Sequence, residues 1–133
     1  MLQASLSLAV NSTCMLVTAR SAAKTLAWSD YLGFSIFLTG FMFETIGDAQ
    51  LKSHITSSDP NKGKFCKTGL WRYTRHPNYF GEAMLWWGFF VVSLGVPKGY
   101  MTIFSPILIT LLLRYVSGVP PLENKARLHP EWA

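Results

Sequence analysis

Residues 69–82 read GLWRYTRHPNYFGE and stand directly before an apolar run that continues to residue 94. Pro77 favours the first turn of a helix, because the amide donor that proline lacks would be unpaired there in any case. The sequence therefore predicts a helix that starts at His76 and Pro77, continues through Glu82 and ends at Leu94. Its N-terminal end would face out of the apolar layer toward water.

The start of this helix has the composition of a binding site for a phosphorylated, aromatic ligand. Unpaired amides and the positive end of the helix dipole attract anions to a helix N-terminus. Arg72 and Arg75 can add bidentate contacts to phosphate oxygens. Trp71, Tyr73 and Tyr79 offer flat faces to a nucleotide base or a nicotinamide ring. The alternative is a juxtamembrane anchor, in which the basic residues contact lipid headgroups and the aromatic residues form an interfacial belt.

The composition indicates a single all-α integral membrane domain over residues 1–133. Hydrophobic residues make up 50% of the chain and charged residues 14%, which is typical of a membrane protein. Half of the 12 Lys and Arg residues cluster in one polar segment between apolar stretches, as they do in cytoplasmic loops. Nucleic acid is therefore not an expected partner. Cys14 and Cys66 have no metal-ligand or redox spacing, so no metal site is predicted.

About four hydrophobic helices are expected to form a bundle that crosses the bilayer. The weakest covers residues 1–18, a better one covers 26–47, and a tight hairpin at 95–99 joins 77–94 to a last helix at 100–116. Residues 26–47 are long enough for a bilayer core, which needs about 20 residues. Residues 49–68 carry turn-forming residues and lysines, which predicts a polar cytosolic loop. An even number of crossings returns the chain after residue 116 to the same side, where Glu123 can reach the site at residues 69–82.

Two carboxylates lie on one helical face at the end of the 26–47 span. Glu44 and Asp48 are spaced i, i+4, and Lys52 follows one turn later. Like charges at this spacing repel each other by roughly a few tenths of a kcal/mol in a bare helix. The pair could accept hydrogen bonds from a ribose or a carboxamide, hold the arginines of the polar loop, or mark the point where the helix enters water.

Three ordered blocks resemble the C-terminal domain of the steroid 5-alpha-reductase family. They are GLWRYTRHPNYFGE at residues 69–82, FETIGDAQ at 43–50 and SGVP at 117–120, and the resemblance covers residues 28–121. It implies a multi-helix membrane oxidoreductase that uses NADPH to reduce an activated carbon-carbon double bond in a lipid or steroid-like substrate. It also implies that further helices precede this region in full-length members, so that a partner chain or a missing N-terminal half would complete the site.

The resemblance assigns cofactor contacts to particular residues. It implies that Glu44 and Asp48 contact the nicotinamide half of NADPH. It places six further residues in the cofactor pocket, namely Arg72, Arg75, His76, Asn78, Tyr79 and Glu82. Lys52, Tyr73 and Glu123 join this set because of their positions in the chain. No catalytic residue is assigned, and Tyr31, Tyr100 and Tyr115 are candidate proton donors only as tyrosines in or near the membrane.

Two other functions remain open from the sequence. The core Arg-His-Pro-x-Tyr-x-Gly, here at residues 75–81, also resembles isoprenylcysteine and phospholipid methyltransferases, which bind S-adenosylmethionine. The spare basic residues fit a multiply phosphorylated dinucleotide better than a sulfonium cofactor without phosphate. The other alternative is a truncated membrane protein that keeps the fold without catalysis. In a eukaryotic cell, the expected location is the endoplasmic reticulum or another internal membrane.

Overall fold

The computed structural model describes residues 11, 13–15, 17, 26–59, 65–116 and 119–126. The regular elements in these ranges are all helical. They are α1 (Trp28–Thr56), a 3-10 turn (Gly69–Arg72), α2 (Pro77–Ser93), a second 3-10 turn (Gly99–Ile103), α3 (Phe104–Leu111), a π-helical turn (Leu112–Val116) and α4 (Val119–Ala126). The all-α class is confirmed for this part of the chain. The span predicted at residues 1–18 lies mostly outside the described residues, although Asn11, 13–15 and Val17 are helical.

Helix α1 is longer than the sequence analysis predicts. The backbone amide of Ala27 donates to the Asp30 carboxylate at 2.7 Å, which caps the start of the helix. The helix then continues to Thr56, so the prediction of a loop at 49–68 was wrong for residues 49–56. These residues contain no Gly or Pro, and Ala, Gln, Leu and Lys among them favour helix. The carboxylates of Glu44 and Asp48 therefore lie well inside a helix and not at its end.

Helices α1 and α2 pack against each other in antiparallel directions through glycine. Gly33 lies against Gly88, and Gly40 lies against Gly81. A Cβ atom on Gly40 would lie 2.6 Å from the Gly81 carbonyl oxygen, and one on Gly88 would lie 2.7 Å from the Phe37 amide nitrogen. Because the opposing atoms belong to the backbone, only glycine permits this approach. Small residues at such a seam are typical of helices that pack in lipid.

The predicted start of α2 is confirmed, with His76 as the N-cap residue and Pro77 in the first turn. The hairpin predicted after α2 is confirmed as well. Lys98 adopts a left-handed conformation with φ 64°, and the buried hydroxyl of Thr102 donates to the Gly99 carbonyl at 2.8 Å. The last predicted helix, 100–116, is helical throughout but passes from 3-10 to α to π geometry.

The apolar side chains of the described residues mostly face outward. Phe90 is buried, whereas many large apolar residues are exposed, among them Trp28, Phe34 and Phe41 on α1. The helical stretch Gly99–Pro121 is long and apolar enough to cross a membrane, and only 19% of its most apolar window is buried inside the structure. Such low burial differs from that of a core helix in a soluble protein, which is mostly buried. The expected number of membrane crossings stays a prediction.

Candidate functional site

The segment that leads into α2 is docked on the second half of α1. The backbone amide of Leu70 donates to Gln50 Oε1 at 2.9 Å. The indole nitrogen of Trp71 donates to the Gly47 carbonyl at 2.9 Å. Gly69 has φ 62°, and a Cβ atom on it would collide with the Gln50 side chain. The left-handed conformation and the close Gln50 side chain both favour glycine at position 69.

A basic and aromatic cluster surrounds the N-terminus of α2. The ring of His76 stacks on Tyr79, with centroids 5.5 Å apart. His76 Nε2 lies 3.5 Å from a carboxylate oxygen of Glu123 in α4. Arg75 Nη1 lies 3.9 Å from the same oxygen. The structure therefore brings four predicted site residues together at this point, including one from a helix more than forty residues away in the chain.

The surroundings of the His76 side chain favour its neutral form. Burial of its ring lowers its pKa below the ordinary value, and the nearby Arg75 and Arg114 act in the same direction, although the Glu123 carboxylate opposes them. The separation of 3.5 Å from Glu123 is too long for a strong hydrogen bond. Among the described residues, the buried Nε2 atom has no hydrogen-bond partner. A neutral imidazole with a buried, unsatisfied nitrogen is suited to contact a ligand.

A second cluster consists of three carboxylates, and it lies along one flank of the α1–α2 seam. Glu44 and Asp48 come from α1, and Glu82 comes from α2. Glu44 is repelled by Glu82 and by Asp48, and Glu82 is also repelled by Asp48. Asn78 lies one turn before Glu82 on the same face of α2, and its Oδ1 atom is buried without a hydrogen-bond partner among the described residues. These acceptor groups form a surface that favours a ligand rich in hydrogen-bond donors.

Three predicted site residues lie apart from both clusters. Lys52, Arg72 and Tyr73 are exposed, and the side chain of Tyr73 is 84% accessible to solvent. Within the described part of the chain, no hydrogen bond or ion pair joins their side chains to the carboxylates or to His76. Arg72 nevertheless follows Trp71 directly, so the docked segment holds its backbone close to α1.

Two of the three candidate proton donors, Tyr31 and Tyr100, lie far from the carboxylates. Tyr31 is in the first turn of α1, and the helix rise of 1.5 Å per residue places it about 25 Å from Asp48. The hairpin that precedes Tyr100 is at the same end of the bundle, because a Cβ atom on Gly95 would lie 2.7 Å from Ser29 Oγ. Neither tyrosine can donate a proton to a substrate held at the carboxylates.

Sequence reasoning gave no site role to Gln50 or to Arg114. Gln50 lies within the block at residues 43–50, but nothing in that block indicates that its side chain contacts a segment 20 residues away. Arg114 lies in the π-helical turn, and its charge acts on His76. A basic residue inside an apolar helix is itself a signal of function, and this signal could have identified it.

Comparison with known proteins places the chain in a family. The family described as "Protein of unknown function (DUF1295)" matches residues 1–131. The chain belongs to this family. It is also similar to the human protein 3-oxo-5-alpha-steroid 4-dehydrogenase 1, with 29% identity over 101 residues. That match covers 76% of this chain and 34% of the human protein.

The chain thus spans about a third of the length of the curated relative that it matches. Comparison with solved structures finds no match. The family and the relative together show that the chain is a steroid 5-alpha-reductase-like family member. The resemblance drawn from the three sequence blocks is confirmed.

Proposed function

We propose that this chain is a membrane-embedded reductase domain that binds NADPH and passes hydride to a carbon-carbon double bond of a lipid or steroid-like substrate. The proposal is carried by one observation, the convergence of a basic, aromatic cluster and a carboxylate cluster around the first turns of α2. The similarity to a steroid dehydrogenase supports the same reaction class.

The carboxylate cluster fits the nicotinamide half of NADPH. The ribose hydroxyls and the carboxamide amide are hydrogen-bond donors, and the cluster offers carboxylate acceptors together with the unpartnered Oδ1 of Asn78. A bound donor would satisfy this buried atom, whose unpaired state is costly. Glu44 and Glu82 come from opposite sides of the seam, so such donors would also bridge two carboxylates that otherwise repel each other.

The N-terminus of α2 fits the phosphates. Its first amides donate no hydrogen bond to the side chain of the N-cap residue His76, and they form the positive end of the helix dipole, which attracts anions. Arg75 supplies a guanidinium there, and the docked segment holds Arg72 nearby. The stacked rings of His76 and Tyr79 provide a flat surface beside the phosphate position.

An apolar surface continues from the carboxylates, as a lipid substrate requires. The flank is formed by Phe37, Phe41 and Glu44 from α1 and by Glu82, Trp86 and Phe89 from α2. Within each helix these residues are spaced three or four apart, so each set lies along one face. Phe37 and Phe89 meet across the seam with ring centroids 5.1 Å apart. NADPH would supply the hydride, and these aromatic side chains would hold the apolar acceptor beside it.

The outward-facing apolar side chains favour a multi-pass membrane bundle, and in a eukaryotic cell the proposed location is the endoplasmic reticulum or another internal membrane. Tyr31 and Tyr100 are distant from the carboxylates, so the proposal leaves protonation of the substrate to Tyr115, which follows Arg114 in the π-helical turn, or to a group outside the described residues. A partner chain or a preceding segment of the protein could supply that group.

Ligand binding to the chain in detergent micelles tests the proposal. NADPH, NADH and S-adenosylmethionine are titrated by nucleotide fluorescence and by thermal shift. NADPH at 100 times its Kd should stabilise the fold by about 2.7 kcal/mol, and Glu44→Gln should weaken the binding. Asp30→Asn is the matched control, because it changes a carboxylate at the other end of the same helix. Stabilisation by S-adenosylmethionine alone would move the assignment to methyl transfer, and a folded sample that binds none of the three would refute the reductase.

A further inference from the structure

The connection between α1 and α2 contains the arginines of the proposed phosphate site, and two hydrogen bonds dock it on α1. Gln50 Oε1 accepts from the Leu70 amide, and the Gly47 carbonyl accepts from the Trp71 indole, both at 2.9 Å. Both donors lie immediately before Arg72 in the chain. The position of Arg72 is therefore determined by hydrogen bonds of Leu70 and Trp71, and not by contacts of the arginine side chains themselves.

Gln50 also shapes the turn that starts this connection. Its side-chain amide lies directly over Gly69, where a Cβ atom would find no room, and Gly69 has the left-handed φ of 62°. The glutamine thus covers the turn at Gly69 and satisfies the amide that follows it. Without that acceptor, the partly buried Leu70 amide would lose its partner.

Two consecutive turns of α1 hold both this connection and the carboxylates. Gly47 accepts the Trp71 indole through its carbonyl, and its Cα faces the first turn of α2, where a Cβ atom would lie 3.3 Å from the Asn78 amide nitrogen. Glu44 lies three residues before Gly47, and Asp48 follows it directly. A shift of the connection on α1 would therefore change the spacing between the arginines and the carboxylates.

We infer that Gln50 and Trp71 are positioning residues, which hold residues 69–72 on α1 and thereby set the distance between the phosphate-binding arginines and the carboxylates. The inference rests on the proposed function. Neither side chain needs to touch the ligand, because their effect is to preorganise the arginine segment before binding. A preorganised segment loses less conformational freedom when the ligand binds, which increases affinity.

Two pairs of variants test the inference. Gln50→Met removes the acceptor at nearly constant side-chain length, whereas Gln50→Glu keeps an oxygen that can accept from Leu70. Trp71→Phe removes the indole donor and keeps an aromatic ring. Trp87→Phe is its matched control, because the Trp87 indole donates to Thr110 at 3.3 Å between α2 and α3, away from the connection.

The readouts are the Kd for NADPH at low and high salt and the hydrogen exchange of the Leu70 amide. In Gln50→Met we expect the Kd to rise about tenfold, the salt dependence of the Kd to weaken because fewer arginine contacts form, and Leu70 to exchange faster. Trp71→Phe should weaken binding in the same direction. Gln50→Glu should stay within about threefold of the wild-type Kd, and Trp87→Phe should bind as the wild type does.

NADPH binding by the wild-type protein distinguishes a failure of the positioning role from a failure of the proposed function. If it binds NADPH and Gln50→Met binds equally well, or if Gln50→Glu and Gln50→Met lose affinity equally, the positioning role is wrong and the proposed function stands. If the folded wild-type protein does not bind NADPH, the proposed function fails and the inference fails with it.

Discussion

Substitution of Gly40 by alanine tests whether backbone contact at the α1–α2 seam holds the site together. A Cβ atom on Gly40 would lie 2.6 Å from the Gly81 carbonyl oxygen and 2.8 Å from the Leu85 amide nitrogen. These atoms belong to the helix backbone and cannot rotate away. The two helices must therefore move apart by roughly half an ångström to restore a normal contact distance, which loses part of the dispersion energy along the seam.

The expected loss of stability follows from two opposing terms. Overpacking of a close contact costs about 1–3 kcal/mol. Because the opposing backbone is rigid, we expect the overpacking cost of Gly40→Ala to lie at the upper end, about 3 kcal/mol. Alanine has a higher helix propensity than glycine, which returns about 1 kcal/mol. The net destabilisation is about 2 kcal/mol, and at about 4 °C per kcal/mol for a chain of this length the Tm should fall by about 8 °C.

Gly47→Ala is the matched control on the same face of the same helix. The atoms nearest to a Cβ on Gly47 are the Asn78 amide nitrogen and Pro77 Cγ, both at 3.3 Å. The gain of about 1 kcal/mol in helix propensity should offset this milder contact, so its Tm should stay within about 4 °C of the wild type. Thermal unfolding in one detergent measures both variants. If Gly40→Ala keeps the wild-type Tm, or if Gly47→Ala lowers the Tm equally, the close backbone contact between Gly40 and Gly81 does not exist.

Three further predictions concern the site itself. Arg75→Ala should raise the Kd for NADPH about 10- to 100-fold in a fluorescence titration, because it removes the proposed charge-assisted phosphate contact; unchanged affinity would remove Arg75 from the site. Glu82→Gln should raise the Tm of the ligand-free protein by relieving repulsion with Asp48 while it weakens NADPH binding, and a lower Tm would contradict the repulsion. The folded-state pKa of His76 is lowered by burial, so the unfolded state binds its proton more readily and stability should fall as the pH drops below about 6.5. His76→Gln should reduce the loss of Tm between pH 7.5 and 5.5, and equal losses in both proteins would assign that pH dependence to other groups.

The sequence by itself determined the elements whose cause is local. Pro77 marks the start of α2, because proline fits a first helical turn and disrupts later ones. Gly and Pro around Lys98 predict the hairpin, where Lys98 indeed takes a left-handed conformation. The end of α1 was misjudged because polar residues were taken as a loop, although residues 49–56 are compatible with helix and the first proline comes only at Pro60.

Only the tertiary structure decided which side chains share a site. The i, i+4 spacing placed Glu44 and Asp48 on one face, but Glu82 joins them because Gly40 and Gly81 fix the antiparallel register of two helices. The count of crossings predicted that Glu123 returns to this side, but its contact with His76 depends on the path of α3 and α4 across the bundle. Local propensities act over a few residues, whereas these contacts depend on where two backbones can approach, and that depends on both helices at once.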